Sequence, residues 1–416
     1  MTVALALSWR ASLFRRFAVS NGLSMAGDQY AQVVLPLAIL SIGGAVEVGL
    51  ALGARALSTT AFLLLGGAIA DRVPRAAVLI AANAVKVLVQ VSTVLLLLGG
   101  VSSVWPIVAL QCGYGAAVAA YLPTTNGVIQ HLVPRSRLAS ANAQVGIITS
   151  LATGGGPLLA GGLLVVASPT VALLVGVAAF VVAILLLVKV PCGRAPRSAG
   201  PGLVRDMVTS WNAFKELTWL WSGVLFLGLF QFVVMGLYYV GGPLVADERL
   251  GGPDVWGFIA AAYGCGTVAG SALTLRWRTS NPLHAFYCAL VLMVPALLCL
   301  GWAAPLGWQL AAHALAGAGI AYASVLWDLS VQASAEPEYV SRISAYEWLG
   351  STALRPLGLA IAGPVLLGLG ITATFTAAAV LLMAGGGLML VITSLMTSRP
   401  KELDVGAELS QEEVSE

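Results

Sequence analysis

The sequence predicts an all-α polytopic membrane protein: twelve transmembrane helices in two pseudo-symmetric six-helix halves. Three observations predict it. Hydrophobic residues make up 59% of the 416-residue chain, and Asp, Glu, Lys and Arg only 9%, whereas a soluble domain carries roughly 25% charged residues. Twelve apolar runs are long enough to cross a bilayer, which takes ~20 residues each. The basic residues alternate from side to side in step with those runs. The same composition excludes a soluble enzyme and a disordered chain. The 47 glycines follow no three-residue period, which excludes a collagen-like chain. A formal charge of +3, with Lys and Arg scattered rather than striped, excludes an ordinary nucleic-acid binder.

The runs fall at roughly 15–41, 48–70, 76–98, 103–130, 139–166 and 170–190, then 217–241, 255–275, 283–303, 307–332, 344–368 and 371–396. They must be helices, because backbone groups in hydrocarbon have no water to bond and the runs do not alternate as barrel strands would. The first follows Arg10, Arg15 and Arg16, a start-of-membrane signal rather than a cleaved leader. The second ends at a charged loop, Asp71 to Arg75, and the third carries Lys86 midway. The fourth is studded with polar and aromatic residues, and the fifth with glycines. The break between fifth and sixth is set at Ser168-Pro169. The sixth and twelfth are nearly all aliphatic, as lipid-facing helices should be. The seventh to eleventh repeat the mixed pattern. The N-terminal half is therefore 1–190 and the C-terminal half 217–398. Residues 191–216 form a Pro-, Gly- and Arg-rich cytoplasmic linker, and 399–416 an acidic disordered tail.

With the N-terminus in the cytoplasm, 17 of the 21 basic residues fall in cytoplasmic segments and Arg249 alone in an external loop. That bias orients the chain with both termini inside, as a multi-pass protein of the plasma membrane. A shift of 204 residues places Gly53 on Gly257, Gly66 on Gly270, Arg72 on Arg276, Gly113 on Gly317 and Gly146 on Gly350, the mark of a parallel internal repeat.

Charges that fall inside spans cost about 2.5–3.5 kcal/mol each, so each needs a reason. Asp28 lies twelve residues past Arg16, near mid-membrane, and Arg55 eight past Glu47. Were the first and second spans neighbours, the two residues would pair or share a water-filled cavity. The pair is either a static packing element or the place where Asp28 takes up a proton. In the second case Asp28→Asn abolishes gradient-driven transport and leaves folding intact. Asp328 is a second proton or substrate site, or else a gate residue or packing partner. Glu347 lies just inside the cytoplasmic end of the eleventh span, and Arg355 is expected to meet Asp328 across the tenth and eleventh. Lys86 reads as structural. Gln29 and Gln32 on the first span, Gln111, Tyr114 and Asn126 on the fourth, Gln231 and Tyr238 on the seventh, and His313 and Trp327 on the tenth suit a cavity for an amphiphilic organic molecule. Trp105, Trp302 and Trp308 read as an interfacial belt. The five cysteines share no CxxC spacing and the three histidines are far apart, so no metal site is expected.

Gly67, Asp71, Arg72 and Arg75, with Pro74 in place of the more usual Gly, resemble the loop after the second helix of the major facilitator superfamily. Asp71 there can latch helix amides or an Arg of the other half. Further stretches resemble its macrolide-efflux-like, drug:proton antiporter branch: Gly27-Asp28 with Leu35-Pro36; Leu138 to Asn142 with Gly156-Pro157 and Gly161-Gly162; and Trp327-Asp328, Arg342 to Glu347, Pro356, Gly358 and Gly363-Pro364. Ala152 and Ala160 depart from the glycines expected in the fifth span. Gly156, Pro157, Gly161, Pro356 and Gly358 are helix-packing positions by this resemblance.

The resemblance implies a secondary transporter that exports a drug or secondary metabolite by proton antiport and alternating access. Its partners are a small-molecule substrate, protons and the lipid bilayer, with no nucleic acid. It would act as a monomer. There is no nucleotide-binding Gly-x4-Gly-Lys loop and no nucleophile–base set, so the energy is expected from a proton gradient, no cofactor is needed, and the chain is not an enzyme. A siderophore or lysophospholipid exporter or flippase is the same-fold alternative. A receptor-like scaffold or an intramembrane enzyme is the alternative of another class.

Overall fold

The computed structural model describes residues 2–70, 73–134, 137–190, 218–274, 276, 279–334 and 347–397. The linker and the acidic tail fall outside them. All the described elements are helical: α1 (Thr2–Leu40), α2 (Ala45–Ala70), α3 (Arg75–Leu98), α4 (Trp105–Leu132), α5 (Leu138–Leu164), α6 (Pro169–Leu187), α7 (Thr218–Arg249), α8 (Pro253–Thr274), α9 (Pro282–Gly301), α10 (Leu306–Ser334), α11 (Glu347–Leu369) and α12 (Ile371–Thr397). Eleven of them, α2 to α12, contain a stretch long and apolar enough to cross a membrane. α1 is 39 residues long but less apolar, because Asn21, Asp28, Gln29 and Gln32 interrupt it. An even number of helices puts both chain ends at one end of the bundle, called here the terminal end; the opposite is the far end.

Three helices differ from the sequence expectation. α7 runs on to Arg249 instead of stopping near 241, and it contains a π-helical turn at Gln231–Met235. α9 breaks at Leu292 and Met293, and its second piece starts at Val294 with Pro295 in its first turn. α11 breaks at Ala353 and Leu354, and its second piece starts at Arg355 with Pro356 in its first turn. A proline has no N–H to give and suits the first turn of a helix, which is why each second piece begins where it does.

Within the first half α1 packs on α5 and α6, α2 on α4, and α3 on α4 and α6. The second half repeats this: α7 on α11, α8 on α10, and α9 on α10 and α12. The packing also refines the repeat. Gly22 of α1 meets Ile148 of α5, and Val224 of α7 meets Gly350 of α11. Gly156 of α5 meets α1, and Gly358 of α11 meets α7. Both pairs are related by 202 residues, while 204 holds for Gly53 and Gly257, which each cross to the other half.

The halves meet along two crossings. On one, Ala45, Gly49 and Gly53 of α2 face Gly363, Leu359 and Pro356 of α11. On the other, Gly161 and Gly154 of α5 face Gly257 and Gly264 of α8. Glycine lets the backbones approach so closely that an added methyl would collide with the opposite helix. These contacts occupy the far-end parts of the helices. The far-end piece of α7, Gly236–Arg249, also touches α1 and α2, whereas its terminal-end piece, Thr218–Phe230, packs on α12 and on Gly350 of α11. Toward the terminal end, Leu57 and Phe62 of α2 and Ile147 and Leu151 of α5 are exposed. Among the described residues, the halves are thus joined at the far end and part toward the terminal end.

The outward faces of α6 and α12 are apolar and exposed, with Val171, Leu174, Val181 and Leu185 on one and Val380, Leu388, Val391 and Leu395 on the other. Trp105, Trp302 and Trp308 are exposed at the far end.

Candidate functional site

α3 decides the chemistry of the first half. Its outer face, Val85, Leu88, Leu95 and Leu98, is exposed and apolar. Its inner face carries Asn83, Lys86, Gln90 and Thr93, all buried. That spacing of three, four and three residues puts one polar stripe on a single helical face, turned inward. Lys86 is 0% exposed. Its Nζ donates to Asp28 Oδ2 at 2.7 Å and to Ser24 Oγ at 3.3 Å. Ser24 Oγ in turn donates to Asn83 Oδ1 at 2.7 Å. The ammonium also lies 4.6 Å from the ring centre of Tyr121 and 5.3 Å from that of Phe180.

The other oxygen of Asp28 has its own partners. The Tyr114 hydroxyl donates to Oδ1 at 2.6 Å, and Arg55 Nη2 stands 3.8 Å away. The Arg55 guanidinium lies over Tyr114, 3.8 Å from the ring centre, a close cation–π contact. Two cations thus face one carboxylate, leaving one formal positive charge in excess. Beyond Asp28 toward the far end, Gln90, Gln111, Thr93, Tyr114 and Arg55 line a small cavity with free volume of about 10 Å³. Among the described residues, both amide atoms of Gln90 and Oε1 of Gln111 lack a hydrogen-bond partner of good geometry.

Asp28 and Arg55 therefore come together as the sequence leads one to expect, but Lys86 is the closer partner. The structural reading of Lys86 names no partner; the inward polar stripe on α3 is the signal that finds it. The sequence reading also passes over Asn83, the partner of Ser24. The second half has no counterpart to the carboxylate: a shift of 202 places Phe230 where Asp28 stands.

The residues of the second half do other work. Arg355 does not pair with Asp328; among the described residues it has no ionic partner. Its guanidinium instead lies 5.3 Å from the ring centre of Tyr239, and its Nε is buried without a hydrogen bond. Arg355 is the first residue past the break in α11 and lies against Tyr239 of α7. Asp328 is exposed. Glu347 accepts from Trp327 Nε1 at 2.9 Å, and the Trp327 ring packs on Phe286 and Trp219. Tyr238 is buried among the rings of Tyr239, Trp256, Tyr263 and His313. His313 is 0% exposed, with Nδ1 2.7 Å from the Gln309 carbonyl oxygen, so it sits in a packed aromatic layer rather than on an open wall.

Gln29, Gln32 and Gln231 are half-buried, and Gln111 is buried beside Arg55. Gly156 packs on Ala26, Gln29 and Tyr30, with Pro157 buried beside it. Arg75 is the first residue of α3. Asp71, Arg72 and the side chain of Asn126 lie outside the described residues.

The sequence profile of the Major Facilitator Superfamily matches residues 17–353. The chain belongs to that superfamily. Solved transporters share its fold. The nucleoside transporter NupG superimposes with a TM-score of 0.69 at 11% identity, covering 93% of this chain and 100% of its own. A bacterial homolog of the human lysosomal transporter Spinster, in an inward-facing and unoccupied conformation, gives 0.67 at 15% identity, covering 92% and 96%. No curated protein matches the sequence significantly. As a major facilitator, the chain is a multi-pass membrane transporter and not an enzyme.

Proposed function

We propose that this transporter exports small amphiphilic organic compounds by proton antiport, with Asp28 as the proton site. The observation that carries the reading is the Asp28–Lys86 pair at mid-membrane, held by Tyr114 and bordered by Arg55. A proton on Asp28 removes the charge that Lys86 and Arg55 share. Two cations are then left facing each other in low dielectric, which drives the helices that carry them apart. Arg55 lies two residues from Gly53, where α2 crosses α11 at Pro356. A charge change at Asp28 therefore acts on a helix that joins the two halves, which is what coupling requires. Both termini are cytoplasmic in this reading, by the distribution of basic residues. The open end then faces the cytoplasm and the closed far end the outside.

Proteoliposomes with an imposed pH gradient and a broad panel of amphiphilic compounds test it. Substrate-linked proton movement in the wild type, lost in Asp28→Asn protein that still elutes as a single folded species, is the expected result. No linked proton movement across the panel refutes proton antiport.

A further inference from the structure

Arg355 is a mid-membrane cation left without a counter-charge among the described residues. It lies eight residues into α11, about 12 Å from its terminal end. Intramembrane charges ordinarily pair, because leaving one unpaired in low dielectric is costly. The carboxylates of the spans are otherwise placed. Asp28 is bound by Lys86 and Tyr114, Glu347 is bound by Trp327, and Asp328 is exposed without an ion pair to Arg355.

The next residue, Pro356, is at the α2–α11 crossing opposite Gly53, so Arg355 stands at the edge of the closed contact, on the side where the halves part. Its guanidinium lies 5.3 Å from the ring centre of Tyr239, and among the described residues nothing hydrogen-bonds its Nε. The π-helical turn of α7 packs Phe232 against Gly358, less than one turn further along α11. Such turns recur at functional sites.

We propose that Arg355 binds an acidic group, a carboxylate, sulfonate or phosphate monoester, on the transported molecule, whose apolar body rests on the tyrosines beside it. This rests on the transport reading above and narrows its substrate class to organic anions. A planar guanidinium matches such groups with two parallel hydrogen bonds.

The test is direct binding to the full-length protein in detergent, read as thermal stabilisation. The probes are a panel of aromatic carboxylates, each compared with its own primary amide and amine. Carboxylates are expected to stabilise the wild type where their amides and amines do not. Arg355→Gln should weaken that binding roughly 10- to 100-fold, the effect of losing a charged hydrogen-bonding partner. Arg355→Lys should retain part of it, and serves as the readout if the Gln variant does not fold. Equal stabilisation by amides or amines, no stabilisation by any carboxylate, or unchanged carboxylate binding in both variants overturns the proposal. Arg355-dependent binding without gradient-driven transport would sink the antiport reading and leave this one standing. Gradient-driven transport of amines that ignores Arg355 would do the reverse.

Discussion

Removing Asp28 should destabilise the protein unless Lys86 is removed with it. Asp28→Asn protein is expected to fold but with less stability, because Lys86 is wholly buried and its strongest partner is that carboxylate. At 2.7 Å, two unit charges attract by roughly 6 kcal/mol at an effective dielectric of 20. Most of that offsets the cost of taking both ions from water, so the pair itself adds little. Breaking it is different: a stranded buried charge typically costs about 3–5 kcal/mol. Asp28→Asn should therefore lower the melting temperature clearly. Lys86→Met should do so less, because Asp28 is 16% exposed and keeps Tyr114 and Arg55. The double variant should recover much of the loss. Thermal unfolding of the four purified proteins in one detergent gives the cycle. Losses in the double variant that equal the sum of the singles would refute the assigned pairing.

Tyr114→Phe removes the hydroxyl that donates to Asp28 and should cost about 1.5–3 kcal/mol, the worth of a hydrogen bond to a charged group; an unchanged melting temperature counts against it. Trp327→Phe should destabilise by a similar amount through the lost Glu347 bond, whereas Glu347→Gln, which keeps an acceptor, should be milder, as thermal unfolding would read out. Gly161→Leu wedges the α5–α8 crossing at Gly257 and should open the far end. Spin labels at Ser103 and Ala304, on far-end loops of the two halves, should then report longer distances than in the wild type, and an unchanged distribution rejects the closed-end assignment.

Much of the fold was legible because it depends on local pattern. Apolar run length sets helix number, and the aliphatic faces of α6 and α12 mark lipid contact wherever those helices lie. Asp28 stood out because a carboxylate in a long apolar run is costly in any arrangement. Arg55 was placed near it by reasoning on neighbouring helices. The partnership of Lys86 was not legible in the same way: Lys86 and Asp28 are 58 residues apart in sequence, and only the packing of the first half brings them together.

The second half shows the limit more sharply. Past the break in α11, Arg355 lies against Tyr239 and makes no ion pair with Asp328. The repeat was visible, yet packing alone showed that 202 residues relate α1 and α5 to α7 and α11. By itself the sequence determined an all-helical membrane protein with both ends on one side, since length, hydropathy and charge placement act residue by residue. Only the tertiary structure decided which charge meets which and which end is closed. Those depend on the rotation and crossing of whole helices, where a turn of one residue carries a side chain about 100° around the axis.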